Sequence, residues 1–362
     1  MKQRMMRAAA ATVAAVLLLS CSVWAAPSVS AAKAVLLDAS SGRVLYEKDA
    51  CDRSLIASTT KIMTALVVCE RCNLADRVKI PAEAVGIEGS SLYLKEGEVL
   101  TVQDLLYGLM LHSGNDAAVA LAIYCGGTEA DFVAMMNEKA ARLGLGDTHY
   151  ANPNGLDHDG NYSTALDLAR LAAYALENED FLRTVSCKTV TIGNRSLRNH
   201  NRLLFSYDGA IGVKTGYTKA AGRILVSAAE RDGRRLVAVT INAPDDWNDH
   251  TALLDYGFSC YQRALLVEKG SHLGTVPLAG GTAESVGVTA GEDFWFPMGA
   301  AETYTVDLEL PAFVYAPVTA GARAGTASVR IEGRVMGTVP LYYEETVPQT
   351  VRRGLIEKLF GG

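Results

Sequence analysis

Two short apolar runs, Ala34 to Asp38 (AVLLD) and Val44 to Lys48 (VLYEK), flank the turn-forming stretch Ala39-Ser40-Ser41-Gly42-Arg43, a pattern that predicts an antiparallel hairpin. The next segment, Leu55 to Val68 (LIASTTKIMTALVV), is apolar on every face after Lys61, so it predicts a helix running through a core. Thr101-Val102-Gln103-Asp104 has the spacing of a capping box, and Leu105, Leu106, Leu109 and Met110 supply the buried stripe behind it. That helix should break at His112-Ser113-Gly114-Asn115. Further helices are expected from Asp116 to Tyr124, Glu129 to Leu143 and Ala165 to Glu177, the last with a second box at Thr164 and Asp167.

From Gly209 the pattern changes. Arg223 to Glu230 (RILVSAAE) and Arg235 to Asn242 (RLVAVTIN) are apolar runs around Asp232-Gly233, a strong hairpin signal. A helix from Asp246 to Leu266 is expected to return against this sheet. Strands thus open and close the domain with helices between them, which points to an α+β fold with one covered sheet. Beyond residue 266 short runs such as LGTVPL, YTVDLEL and TASVRIEG, punctuated by glycine, predict a small all-β domain.

Composition narrows the class of partner. The chain has 362 residues, 49% of them hydrophobic, and a formal charge of −6 with no run of Lys and Arg. A small ligand therefore fits better than nucleic acid. The first residues combine Lys2, Arg4 and Arg7, an apolar stretch from Ala8 to Leu19, and Val23-Trp24-Ala25, the pattern of a secretory signal peptide over residues 1–25. A retained anchor and lipid attachment at Cys21 are the rival readings. Export to the cell envelope is expected on each of them. In the tail, Val351, Leu355, Leu359 and Phe360 share a helical face beside basic residues, which suits a short interfacial anchor or a frayed end. Of seven cysteines, six lie beyond the leader without the spacing of a disulfide framework. Cys69-Glu-Arg-Cys72 has no second Cys or His pair to complete a zinc site. The histidines show no ligand spacing, so no metal or cofactor is expected.

The candidate chemistry begins with Ser58-Thr59-Thr60-Lys61. Three residues apart on a helix, Ser58 and Lys61 face the same way, and a neutral lysine amine can take the proton from a serine hydroxyl. A second cation and removal from water would keep that amine neutral. Alone, the pair also describes a capping serine beside a solvated lysine. Two further clusters change the weighing: Ser113-Gly114-Asn115 in the break between helices, and Lys214-Thr215-Gly216 on a strand. The order and the separations, roughly 55 and then about 100 residues, match the Ser-x-x-Lys, Ser-x-Asn, Lys-Thr-Gly set of penicillin-recognising serine enzymes.

The chain therefore resembles the low-molecular-mass penicillin-binding proteins, serine-type D-alanyl-D-alanine carboxypeptidases. The phrases EGSSLYLKEGE (Glu88 to Glu98), SGNDAAVALA (Ser113 to Ala122), NPNGLD (Asn152 to Asp157), GVKTGYTKAAG (Gly212 to Gly222) and APVTAGARAG (Ala316 to Gly325) carry the likeness over nearly the whole mature chain. It implies a β-lactamase-like antiparallel sheet flanked by helices over residues 26–266, a β-rich domain over 267–345, and a tail from 346 to 362. It implies that Ser58 attacks the carbonyl between the last two D-alanines of a peptidoglycan stem peptide, with Lys61 as base and Ser113 passing a proton to the departing amine. Asn115, Lys214, Thr215, Gly216 and Tyr217 would bind substrate, with the N–H groups of Ser58 and Tyr217 as oxyanion hole. β-Lactams would acylate the same serine. A class A β-lactamase shares the three motifs, but Gly114 stands where that class has Asp and its Glu-x-x-Leu-Asn segment is absent. A non-catalytic wall-binding scaffold is the remaining alternative. Two positions depart from the family pattern: Arg223, where a small or apolar residue is expected, and Asn152, in place of a common His.

Overall fold

The computed structural model describes residues 26–350, so the leader and the amphipathic segment 351–362 lie outside the described residues. The predicted opening hairpin forms from Lys33–Asp38 and Val44–Lys48. The closing strands are Ala210–Thr218, Gly222–Arg231 and Arg234–Ile241, and all five make one antiparallel sheet. Lys33–Asp38 pairs with Arg234–Ile241 in register Lys33 to Ile241, which joins the two ends of the domain. Ala210–Thr218 lies last in the strand order, paired with Gly222–Arg231.

The continuous apolar character of these strands follows from burial on both faces. Val35, Leu37, Val226, Val237 and Val239 enter the main helical core, whereas Ala34, Leu36, Leu236 and Ala238 pack with Leu253 and Leu254 of the helix Asp246–Cys260. The main core is centred on the helix Lys61–Arg71, buried from Lys61 through Val68. Around it lie the helices Val102–Leu111, Asn115–Gly126, Glu129–Arg142 and Ala165–Ala175.

The capping box at Thr101 is complete, with both reciprocal bonds to Asp104. The one expected at Thr164 is half made. Thr164 accepts from the Asp167 amide, but the Asp167 carboxylate turns instead to the Asp147 amide and the Thr148 hydroxyl, a tertiary contact that a local pattern does not reveal. The helix expected to reach Leu266 ends at Cys260. Tyr261–Val267 is a strand paired with Phe294–Gly299, so its apolar side chains are drawn into the second core beside Phe296. A short apolar run is ambiguous between helix and buried strand, and here the partner strand decided.

The C-terminal part is a six-stranded sheet packed over Val276, Val288, Val329 and Leu341. Its sheet extends past the expected edge of the tail, because Val347 bridges to Val318 and Gln349 to Gly281. Arg43, in the first hairpin, bonds to Glu302 (2.9 Å) and lies 5.0 Å from the Tyr261 ring, tying the β region to the main sheet.

Between the sheet and its outer helix sits His250, fully buried, with Nδ1 2.5 Å from the Ser227 hydroxyl and Nε2 2.9 Å from that of Thr240. Burial pushes its pKa down to about 3. The unfolded chain, with an ordinary value near 6.5, therefore binds this proton more tightly than the fold does. Stability from this group is complete above about pH 6.5 and is lost as the pH falls toward 3. Denaturant unfolding at pH 7.5 and 4.5 should differ by about 2–3 kcal/mol more in the natural chain than in His250→Gln. Equal losses in both would remove His250 as the cause.

Candidate active site

Ser58 sits in a 3-10 turn, Ala57–Thr60, immediately ahead of the helix that begins at Lys61. The expected helix start is therefore displaced by one turn. Ala57 has φ +45°, a left-handed conformation costly for a residue with a Cβ, and Thr59 holds the turn by donating its hydroxyl to the Ile56 carbonyl at 2.5 Å. Lys61 has no solvent exposure. Its amine lies 3.0 Å from Ser58 Oγ and donates to Asn115 Oδ1 at 2.6 Å and to the carbonyl of Asn154. Burial, and then the neighbouring charge of Lys214, hold its pKa well below the ordinary lysine value, with Asp116 partly opposing. The lysine at the mouth of an apolar helix is thus an amine kept poor in protons beside a hydroxyl.

Ser113 and Asn115 come from the break between two helices. Ser113 has φ +64°, and its strained turn is held by bonds on both sides. Gly114 N–H donates to the Gly108 carbonyl at 3.1 Å and Asn115 N–H to the Ser90 carbonyl at 2.7 Å. Buried Asp116 accepts from the amides of Leu92 (3.0 Å) and Leu94 (3.1 Å) and from the Ser91 hydroxyl (2.7 Å). The phrase Glu88 to Glu98 is therefore the brace of the Ser-x-Asn turn.

The Lys-Thr-Gly strand passes directly over the turn that carries Ser58. A Cβ at Gly216 would lie 3.3 Å from the Ser58 amide nitrogen and 3.3 Å from the Ile56 carbonyl, so glycine permits the close approach. Lys214 is buried beneath, donating to the Thr215 carbonyl at 2.9 Å, and burial pushes its pKa down to about 7. Ser58, Ser113, Thr215, Gly216 and Tyr217 open onto one crevice of about 1010 Å³. Lys61, Asn115 and Lys214 are buried. All eight residues singled out in the sequence thus meet in one region, three through hydrogen bonds, others through a shared wall, and Lys214 through its field.

Two contributors were not singled out as site residues. The Asn154 carbonyl, a backbone acceptor with no side-chain signature, fixes the Lys61 amine. Its loop is braced by Asn152, which accepts from Gly155 N–H at 2.7 Å and donates to the Leu156 carbonyl at 3.0 Å, and Thr64 donates to the Pro153 carbonyl at 2.6 Å. Asn152, a departure from the family pattern, thus closes this turn together with Asn154, whose Oδ1 accepts from Leu156 N–H at 3.0 Å. The other is the pair Arg223 and Asp246, both on the crevice wall, bonded at 2.7 and 2.8 Å. Its signal was Arg223 itself, conspicuous among small residues. His200 also lines the crevice, its ring 5.2 Å from that of His112, and burial and then Lys214 push its pKa down to about 4, so it is neutral at neutral pH.

Gly155 has φ +85°, and a Cβ there would collide with the Ala57 carbonyl. Gly155→Ala should therefore push the loop off the turn that carries Ser58, costing about 2–4 kcal/mol in stability and slowing acylation of Ser58. Thermal unfolding and labelling by a fluorescent penicillin check this; unchanged values in both would refute the packing argument.

A serine hydroxyl beside a proton-poor lysine, under an edge strand able to align an extended peptide, serves acyl transfer, which puts the protein among the serine hydrolases that work with lysine rather than histidine. The comparisons narrow the class. The family described as D-alanyl-D-alanine carboxypeptidase matches residues 21–245, and the C-terminal domain of penicillin-binding protein 5 matches residues 261–349. The chain belongs to the D-alanyl-D-alanine carboxypeptidase family. It is 33% identical to the D-alanyl-D-alanine carboxypeptidase DacF of Bacillus subtilis over 87% of this chain and 85% of that one. It is 37% identical to the corresponding carboxypeptidase of a Streptomyces species over 64% and 89% of the two chains. The crystal structure of penicillin-binding protein 5 from Haemophilus influenzae superposes with a TM-score of 0.77 at 28% identity, covering 89% of this chain and 99% of that one.

Proposed function

We propose that Ser58, Lys61 and Ser113 carry out the family's reaction, removal of the terminal D-alanine from peptidoglycan stem peptides. The observation that carries this is the 3.0 Å contact between Lys61 Nζ and Ser58 Oγ at a site where the amine is wholly shielded from water. Neutral Lys61 takes the Ser58 proton as Oγ attacks the penultimate D-alanine carbonyl. The N–H groups of Ser58 and Tyr217 receive the developing oxyanion. Ser113 relays a proton to the amine of the departing D-alanine, and water then cleaves the ester, returning the proton to Ser58. Thr215 and Arg223, the latter oriented by Asp246, are suited to the substrate's terminal carboxylate. β-Lactams acylate the same hydroxyl.

The test is D-alanine release from a D-Ala-D-Ala peptide by purified protein, run beside nitrocefin turnover. Release of D-alanine with single-turnover labelling by the lactam supports the reading. Rapid nitrocefin turnover without D-alanine would favour the β-lactamase, and no adduct at all the scaffold.

The same reading takes the protein to be exported, its substrate lying outside the cytoplasm, and the basic start with its apolar stretch supports a cleaved leader. Peripheral contact of the tail with a membrane surface is proposed from the sequence spacing of Val351, Leu355, Leu359 and Phe360 beside basic residues. Flotation of the mature chain with anionic vesicles, compared with a chain ending at residue 350, checks it.

A further inference from the structure

The nucleophile helix Lys61–Arg71 and the helix Asn115–Gly126 pack side by side, and each begins at the active site, one with Lys61 and the other with Asn115. Their far ends also meet. Cys72 is the C-cap of the first, its N–H bonded to the Val68 carbonyl at 2.9 Å, and Cys125 lies in the last turn of the second. The Lys61–Asn115 bond at one end and the Tyr124–Asp76 bond at the other hold the two helices alongside, so Cys72 and Cys125 come level, and both thiols are half-buried and free. Next to them Tyr124 donates to Asp76 at 2.8 Å, pinning the turn after Cys72 against the end of the second helix. Cys69, one helical turn before Cys72, is the remaining thiol packed in this region.

We propose that Cys72 and Cys125 are a disulfide-forming pair that staples the nucleophile helix to the helix bearing Asn115. Neither residue belongs to the machinery at Ser58, so the inference does not rest on the reaction assigned there.

The chemistry has a direction. The neighbouring Cys72 thiol, opposed by burial and helped by Arg71, lowers the pKa of Cys125, while the Cys125 thiol and burial raise that of Cys72. Cys125 is therefore the better nucleophile toward an external disulfide of the glutathione class. Its thiolate attacks one sulfur of the oxidant and expels the first thiolate, leaving a mixed disulfide. Cys72 then gives up its proton and attacks the Cys125 sulfur, expelling the second. Two protein thiols become one disulfide and one oxidant disulfide becomes two thiols, so electrons and protons balance. The bond would close a loop from 72 to 125 and restrain the unfolded chain. It would also fix the spacing of the two helices whose other ends carry the Lys61 amine and its Asn115 acceptor.

The experiment uses the full chain under native conditions, treated with oxidised glutathione, alkylated, digested and mapped by mass spectrometry beside a reduced sample. The expected result is a linked peptide pair containing Cys72 and Cys125, two hydrogens lighter than the separate thiols, and a melting temperature higher by about 5 °C than the reduced form. Cys72→Ser and Cys125→Ser should each lose the oxidation-dependent rise, whereas Cys187→Ser keeps it. A Cys69–Cys72 link, glutathione left on Cys125 without a cross-link, or no oxidation at all would each overturn the proposal. The peptide map of the natural chain decides even if a serine variant folds poorly.

Discussion

Lys61→Gln should lose about 10⁴-fold in the rate at which penicillin acylates Ser58, with a melting temperature within a few degrees of the natural chain. The barrier would rise by about 5 kcal/mol. Glutamine can still hydrogen-bond to Ser58 and the Asn154 carbonyl, but it cannot hold the proton that leaves Oγ. A serine hydroxyl at neutral pH is a poor nucleophile without a base, and no other side chain is hydrogen-bonded to Ser58 Oγ among the described residues. Stability should change little, because the natural residue already carries a burial penalty: its wholly shielded amine is held well below its ordinary pKa. Stopped-flow acylation by a chromogenic cephalosporin measures the rate. A variant within tenfold of the natural chain would mean that another group, Ser113 included, takes the proton.

The sequence was most legible where a side-chain pattern is itself the cause of the structure. The apolar runs Lys33–Asp38 and Arg234–Ile241 are strands because both of their faces are buried, and Lys61–Arg71 is apolar all round because helices and strands surround it. The three motifs were readable because each site group is a side chain with a distinctive chemistry. What stayed hidden depends on partners distant in the chain. The carbonyl of Asn154 carries no residue signature, and Asp167 looked like a capping box until Asp147 and Thr148 were seen to claim its carboxylate. Arg223 was visible as an anomaly, but its meaning required Asp246, which begins the helix after the next strand. The end of that helix at Cys260 was unreadable for the same reason, since Phe294–Gly299 draws the following residues into a strand.

The pH profile should expose the two lysines separately. Lys214, wholly buried with a pKa near 7, is charged below that pH and neutral above it. Its charge beneath the Lys-Thr-Gly strand is expected to add to that of Arg223 on the crevice wall in attracting the substrate carboxylate, so kcat/KM for a D-Ala-D-Ala peptide should fall as the pH rises through about 7. Lys61 gives the opposite limb, because only its neutral form accepts the Ser58 proton and activity therefore rises with pH through its lowered pKa. Lys214→Gln removes the alkaline limb. At pH 6 it should cost about 10²-fold, whereas by pH 9 the variant and the natural chain should approach one another, since the natural Lys214 has by then lost its charge. The variant should also shift the acid limb upward, as the cation that repels a proton from Lys61 is gone. A neutral ligand lacking the carboxylate should show the acid limb with little of the alkaline one. The decisive comparison is the full profile of both proteins with both ligands: an alkaline limb that survives in Lys214→Gln would assign it to some other group and leave Lys214 a structural part of the strand.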